Sequence, residues 1–148
     1  MDGLLKTGSV RINKGLLTGS GTIADVYPIL RPEVTLSPGN PFGTLTMVPR
    51  DSYGYLDCNR CSVDIELAGP SKNDRLLVQG DLLLSGAVVN VTLREGFIPK
   101  SGDSFEIISA NNISGTPNII NLQKLPTLPA GLSWSADYTL TAVTLRVK

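Results

Sequence analysis

Histidine is absent from the 148 residues. Without it neither a Ser-His-Asp nor a Cys-His nucleophile can be assembled, and the commonest transition-metal ligand is missing. A Ser-Lys device survives that exclusion, but nothing marks out one serine among many. Net charge is also missing, because 13 Lys and Arg balance 13 Asp and Glu. The chain therefore has no overall attraction for nucleic acid or an anionic membrane, and no clustered basic stretch supplies a local one. Nucleic-acid binding is not expected. No apolar run approaches the roughly 20 residues of a membrane helix. The longest, such as Leu82-Leu83-Leu84, are strand-sized, and membrane insertion is not expected. Met1-Asp2-Gly3 has no basic start leading into an apolar core, so if the protein is exported its signal lies upstream or has been removed. Aromatic residues are only 5%, which leaves Leu, Val and Ile to build the interior.

Hydrophobic residues nevertheless reach 41%, too many for a disordered tail and enough for a core without obligatory staples. The length fits a single domain, residues 1–148. The 15 Gly and 10 Pro recur along the whole chain. They cut it into pieces shorter than an ordinary capped helix of about 11–12 residues. Between them, Val, Leu, Ile and Thr alternate. Ser62-Val63-Asp64-Ile65-Glu66-Leu67 puts Val63, Ile65 and Leu67 on one face. Val89–Leu93, Phe105–Ile107 and Leu140–Val147 repeat the pattern, and a period of two denotes half-buried strand. The fold class is all-β.

Two rhythms divide the chain. Residues 8–50 hold short apolar pairs set between Gly and polar turns, as in Ser9–Ile12, Gly15–Ile23 and Val34–Gly39. That pattern suits the coils of a β-solenoid (a parallel β-helix), although no clean period emerges, and a β-sandwich is the alternative. Residues 61–147 hold longer strands, with Asp74–Gly86 expected as two strands about Gly80-Asp81, and fit a more antiparallel C-terminal cap. Trp134, just before the last strand, is the largest apolar group able to act as a terminal core plug; a simple core Trp predicts the same burial.

Few residues carry chemistry. Cys58-Asn59-Arg60-Cys61 is open to three readings: a local disulfide, two structural thiols, or a metal or redox pair. Zinc would need a second ligand pair that the sequence lacks, and a redox motif would need a βαβ setting. Asp64 and Glu66 point the same way from one strand at a spacing that a glycosidase pair can use. Outward charges on an amphipathic strand explain them as well. Asp25, Asp57, Asp74, Asp81 and Asp103 stand near turns, where Asp bonds its own backbone, and none belongs to a calcium loop. Asn90-Val91-Thr92 and Asn112-Ile113-Ser114 match the glycosylation acceptor pattern, which short sequences also meet by chance. Tyr27, Tyr53, Tyr55 and Tyr138 can be a sugar-stacking surface or merely scattered surface residues. No catalytic residue, metal site or cofactor is expected.

Three phrases carry a resemblance. Val34–Met47 contains Ser37-Pro38-Gly39-Asn40 followed by Gly43-Thr44-Leu45-Thr46, with Pro41-Phe42 where Ser-Pro is usual. Ile65-Glu66-Leu67-Ala68-Gly69 is followed by Asp74-Arg75-Leu76-Leu77-Val78-Gln79-Gly80, with Asn73 where Tyr is usual. Gly96-Phe97-Ile98-Pro99 then leads to Gly102-Asp103-Ser104-Phe105. In order and spacing, over residues 15–147, the set resembles the C-terminal part of bacterial autotransporter passengers and related repeat-rich surface proteins. The resemblance implies a right-handed β-helix with a more antiparallel cap, outside the cell, and no catalytic residues. The expected function is a non-enzymatic structural or adhesive module, self-associating end to end. A carbohydrate-binding module acting on surface glycans is the alternative, and a polysaccharide-cleaving enzyme ranks third.

Overall fold

A computed structural model describes residues 3–5, 10–51, 53–114 and 121–148. Met1, Ser9 and residue 8 of the first expected run lie outside the described residues. Among those described every regular element is a strand, and the strands form two sheets.

Through most of the chain the strands pass alternately from one sheet to the other. The first sheet takes β1 (Gly3–Leu5), β3 (Gly21–Val26), β5 (Thr44–Pro49), β9 (Arg75–Leu83) and β11 (Ser104–Ser114), each parallel to the one before. The short β6 (Tyr55–Asp57) lies beside the second half of β9. The second sheet takes β2 (Gly15–Gly19), β4 (Val34–Pro38), β7 (Ser62–Gly69), β10 (Val88–Leu93) and β12 (Asn121–Lys124), again all parallel. Besides an isolated antiparallel bridge between Gly19 and Gly39, antiparallel strand pairing enters at two places among the described residues. The short β8 (Lys72–Asn73) folds back on β7, and β14 (Ala142–Val147) lies between β11 and the edge strand β13 (Trp134–Tyr138).

Alternation puts apolar side chains inside, and parallel register lines them up. Leu45, Leu76 and Ile108 are successive partners in the first sheet, as are Ile23, Met47 and Val78. Leu36, Val63 and Val89 form the corresponding row in the second sheet. All nine are at most 1% exposed, which makes them one continuous dry interior. Each such side chain contributes roughly 1.5–3 kcal/mol relative to exposure.

Two sequence expectations meet a different outcome. Among the described residues, antiparallel strand pairing is confined to the last strands of the first sheet and to β8, although strong alternation starts near residue 61. A parallel strand with one face inside and one face in water alternates just as an antiparallel one does, so the pattern cannot separate them. Arg75–Leu83 is a single strand running straight through Gly80-Asp81. Gly80 is there because its backbone lies against β5 and the turn after it: a Cβ would stand 2.8 Å from the Gly54 carbonyl oxygen and 2.9 Å from Pro49 Cγ. The absent period also has a cause. Gly15 pairs with Val34, Thr35 with Ser62 and Ser62 with Val88, so partners recur after 19, 27 and 26 residues. The strands keep register while the connections change length.

Candidate functional site

The tyrosines give the clearest surface feature. Tyr27 follows β3, Tyr53 sits in the turn after β5, and Tyr55 opens β6. The turn is closed by the Tyr53 and Gly54 N–H groups, which donate to the Arg50 carbonyl at 2.9 and 3.1 Å. This carries Tyr53 back between the other two rings. Its centroid is 5.7 Å from Tyr27 at an interplanar angle of 66°, and 6.3 Å from Tyr55 at 85°. Edge-to-face geometry of this kind is favoured by the ring quadrupoles. The Arg11 guanidinium lies 4.0 Å over the Tyr27 ring, a cation–π contact that occupies one of its faces. Tyr53 is 45% exposed; Tyr27 and Tyr55 are half-buried. Three of the four tyrosines thus form one corner and are not scattered. Tyr138 stands apart on β13, where burial pushes its phenol pKa up.

Polar side chains continue the corner across the sheet. Tyr55 is in register with Asp81 of β9, and Asp81 with Asn112 of β11. Asp81 and Asn112 are exposed. Two residues after Tyr55, on the same face of β6, is Asp57, whose Oδ1 is buried without a hydrogen-bond partner. Asp81 lies within β9 and not near a turn, whereas Asp57 ends β6 just before the Asn59-Arg60 turn.

The paired carboxylates face a different direction. Asp64 and Glu66 stand on the outer face of β7. Asp64 Oδ1 accepts from Asn90 Nδ2 at 2.8 Å, and Glu66 Oε1 accepts from Arg94 Nε at 2.6 Å. They are tied to the next strand and its flank, and Asn90 is spent in the same contact.

Asp74 is the one fully buried carboxylate among the described residues. Its Oδ2 accepts from the Glu66 N–H at 2.9 Å and its Oδ1 from the Gly43 N–H at 3.2 Å. Its own N–H donates to the Glu66 carbonyl at 2.9 Å. The side chain therefore ties β7 of one sheet to the entry of β5 in the other. Burial raises its pKa from the ordinary 3.8 to about 6, against the pull of the two backbone donors. Gly39, at φ +88°, packs on the same carboxylate. Gly39, Gly43, Glu66 and Asp74 all come from the phrases that carry the family resemblance, and here they meet around a structural contact.

Cys58 and Cys61 are joined by a disulfide with Cα atoms 5.1 Å apart, both fully buried beside the turn that enters β7. The loop is very short, so chain-entropy reasoning gives it about 2 kcal/mol. Reduction is expected to lower the unfolding free energy by that amount while leaving the circular-dichroism spectrum of the folded protein unchanged. A reduced protein that loses its strand signal at 25 °C would contradict this.

Trp134 is half-buried on the edge strand β13. Its Nε1 donates to the Pro126 carbonyl at 2.8 Å, and its ring lies 6.3 Å from Phe105, which in turn lies 5.9 Å from Phe97. A shallow depression of about 400 Å³ opens nearby, lined by Ser101, Gly102, Asp103, Arg146, Val147 and Lys148. Two of its charged groups are engaged: Arg146 pairs with Asp137, and Asp103 Oδ2 accepts from the Lys100 N–H at 2.8 Å. Among the described residues no group of His, Cys, Asp or Glu is arranged to hold a metal ion, and no helix is long and apolar enough to cross a membrane. No family model and no curated protein matches the chain.

Arg11 was not marked by the sequence, and nothing in its surroundings there signals a partner 16 positions away. The sequence offers the four tyrosines as one stacking surface or as scattered residues, and the structure groups Tyr27, Tyr53 and Tyr55 and leaves Tyr138 apart.

Proposed function

We propose that the chain is a non-enzymatic structural or adhesive module presented outside a cell, built as a short right-handed β-solenoid. The observation that carries this reading is the in-register parallel stacking of inward apolar rows in both sheets. Each passage of the chain covers the apolar face of the one before, so rigidity comes from repetition along one axis and the outer faces stay free for contact. The likeness to autotransporter passengers, a buried disulfide suited to an oxidising compartment, and balanced charge support the same reading. On it, the β13–β14 hairpin with Trp134 closes the C-terminal end, where an unpaired strand would otherwise be a sticky edge.

At the other end the sheets terminate in β1 and β2 among the described residues. Leu4 and Leu16 on these edge strands are 68% and 65% exposed. Edge strands beside exposed leucines favour strand addition, which makes end-to-end self-association part of the proposal. Sedimentation velocity is expected to show larger species as concentration rises, and Leu16→Lys is expected to shift the population to monomer. Monomer alone at every concentration would remove the self-association. Antibody labelling of intact producing cells tests the location: signal that appears only in broken cells would overturn it.

A further inference from the structure

We propose that the tyrosine corner and the polar row beside it form a binding site for an uncharged oligosaccharide. This goes beyond the scaffold reading, which stands or falls without it. The corner has the chemistry that a pyranose ring needs. Tyr53 and Tyr55 meet with their planes 85° apart, so a sugar can lay its C–H face on one ring while its edge meets the other. Aromatic rings with a polar tip recognise ligands that are apolar on one side and wet on the other. Arg11 is engaged over Tyr27, which braces that ring and occupies one of its faces.

The remaining groups are acceptors and an amide. Asp81 and Asn112 continue in register from Tyr55. With neighbouring strands about 4.8 Å apart, the row reaches about 10 Å from Tyr55, the span of a disaccharide. Carboxylates accept from vicinal hydroxyls, and an Asn amide both donates and accepts. Asp57, half-buried on the same face, adds a second carboxylate beside Asp81. An anionic glycan is disfavoured, because Asp57 and Asp81 would repel it. An apolar peptide is disfavoured too, because it would leave those carboxylates without donors.

The test is affinity electrophoresis through gels holding cellulose-, mannan-, chitin- or galactan-type soluble glycans, followed by calorimetry with tetra- to hexasaccharides of the retarding type. The wild-type protein is expected to bind at least one glycan. Tyr53→Ala and Asn112→Ala are each expected to weaken binding at least tenfold, while Tyr53→Phe, which keeps the ring, stays within about threefold. Tyr53 is largely at the surface, so its variants are expected to keep the wild-type unfolding midpoint, which separates lost binding from lost fold. Absence of binding across the panel overturns the site. So does binding that survives both alanine variants, since the sugar would then sit elsewhere.

Discussion

Gly39→Ala is expected to destabilise the protein by about 4 kcal/mol, from a positive-φ penalty of about 1–3 kcal/mol and an overpacking penalty of similar size. Gly39 holds φ +88° at the end of β4, a conformation that L side chains rarely adopt. A Cβ there would collide with Asp74 Oδ1 and stand 2.8 Å from both the Gly43 nitrogen and the Phe42 Cα. Neither side can yield cheaply. The backbone neighbours belong to the passage from β4 to β5, and the carboxylate is held by hydrogen bonds from Glu66 and Gly43. For a chain of this length the loss corresponds to a fall in melting temperature on the order of 10 °C. Thermal unfolding of the purified variant measures it directly. A midpoint within about 2 °C of wild type would show that the Asp74 cradle has slack.

The second large effect is one of pH. Asp74 titrates near 3.8 when unfolded and about 6 when folded. Between those values the folded protein holds the proton and the unfolded chain has released it. Folding stability contributed by this group is therefore fully present below about pH 4 and is lost as pH rises through 6. A shift of about two units corresponds to about 3 kcal/mol. Denaturant titration is expected to show the wild type gaining stability from pH 7 down to pH 4.5, where most proteins with ion-paired carboxylates lose it. Asp74→Asn is expected to flatten that rise. At pH 7 its net effect is small, because the neutral amide escapes the cost of burying a charge but turns one N–H toward the Gly43 or Glu66 donor. Equal pH slopes in the two proteins would remove Asp74 as the cause.

Asp74 also shows where a linear reading stops. In the sequence it is one of five aspartates near Gly or Pro, and turn chemistry accounts for all five equally well. Its burial follows from Glu66 and Gly43, 8 and 31 positions away, and no local pattern encodes that. The inward residues were legible for the opposite reason. Val63, Ile65 and Leu67 alternate with Asp64 and Glu66, and alternation is a property of consecutive residues. Strand direction was not legible, because one-sided burial gives parallel and antiparallel strands the same period. Gly80-Asp81 looked like a turn because Gly followed by Asp usually is one; here Gly80 answers to the close passage of Pro49 and Gly54 instead. The tyrosine corner is assembled from positions 27, 53 and 55 with Arg11, and its grouping depends on register between separate strands. The charged pair Asp64 and Glu66 was visible, but the partners that tie it down, Asn90 and Arg94, lie more than 20 positions on.

The unequal spacing of partners, 19, 27 and 26 residues along the second sheet, has a consequence for how such a chain can change over generations. Doubling the length of a flexible connection costs only about 0.6 kcal/mol of closure entropy, far less than losing a single interior leucine. Insertions at the corners are thus nearly free, while the buried rows tolerate little. Descendants of one ancestor can drift apart in length and surface chemistry until alignment fails, yet still wind on the same internal ladder.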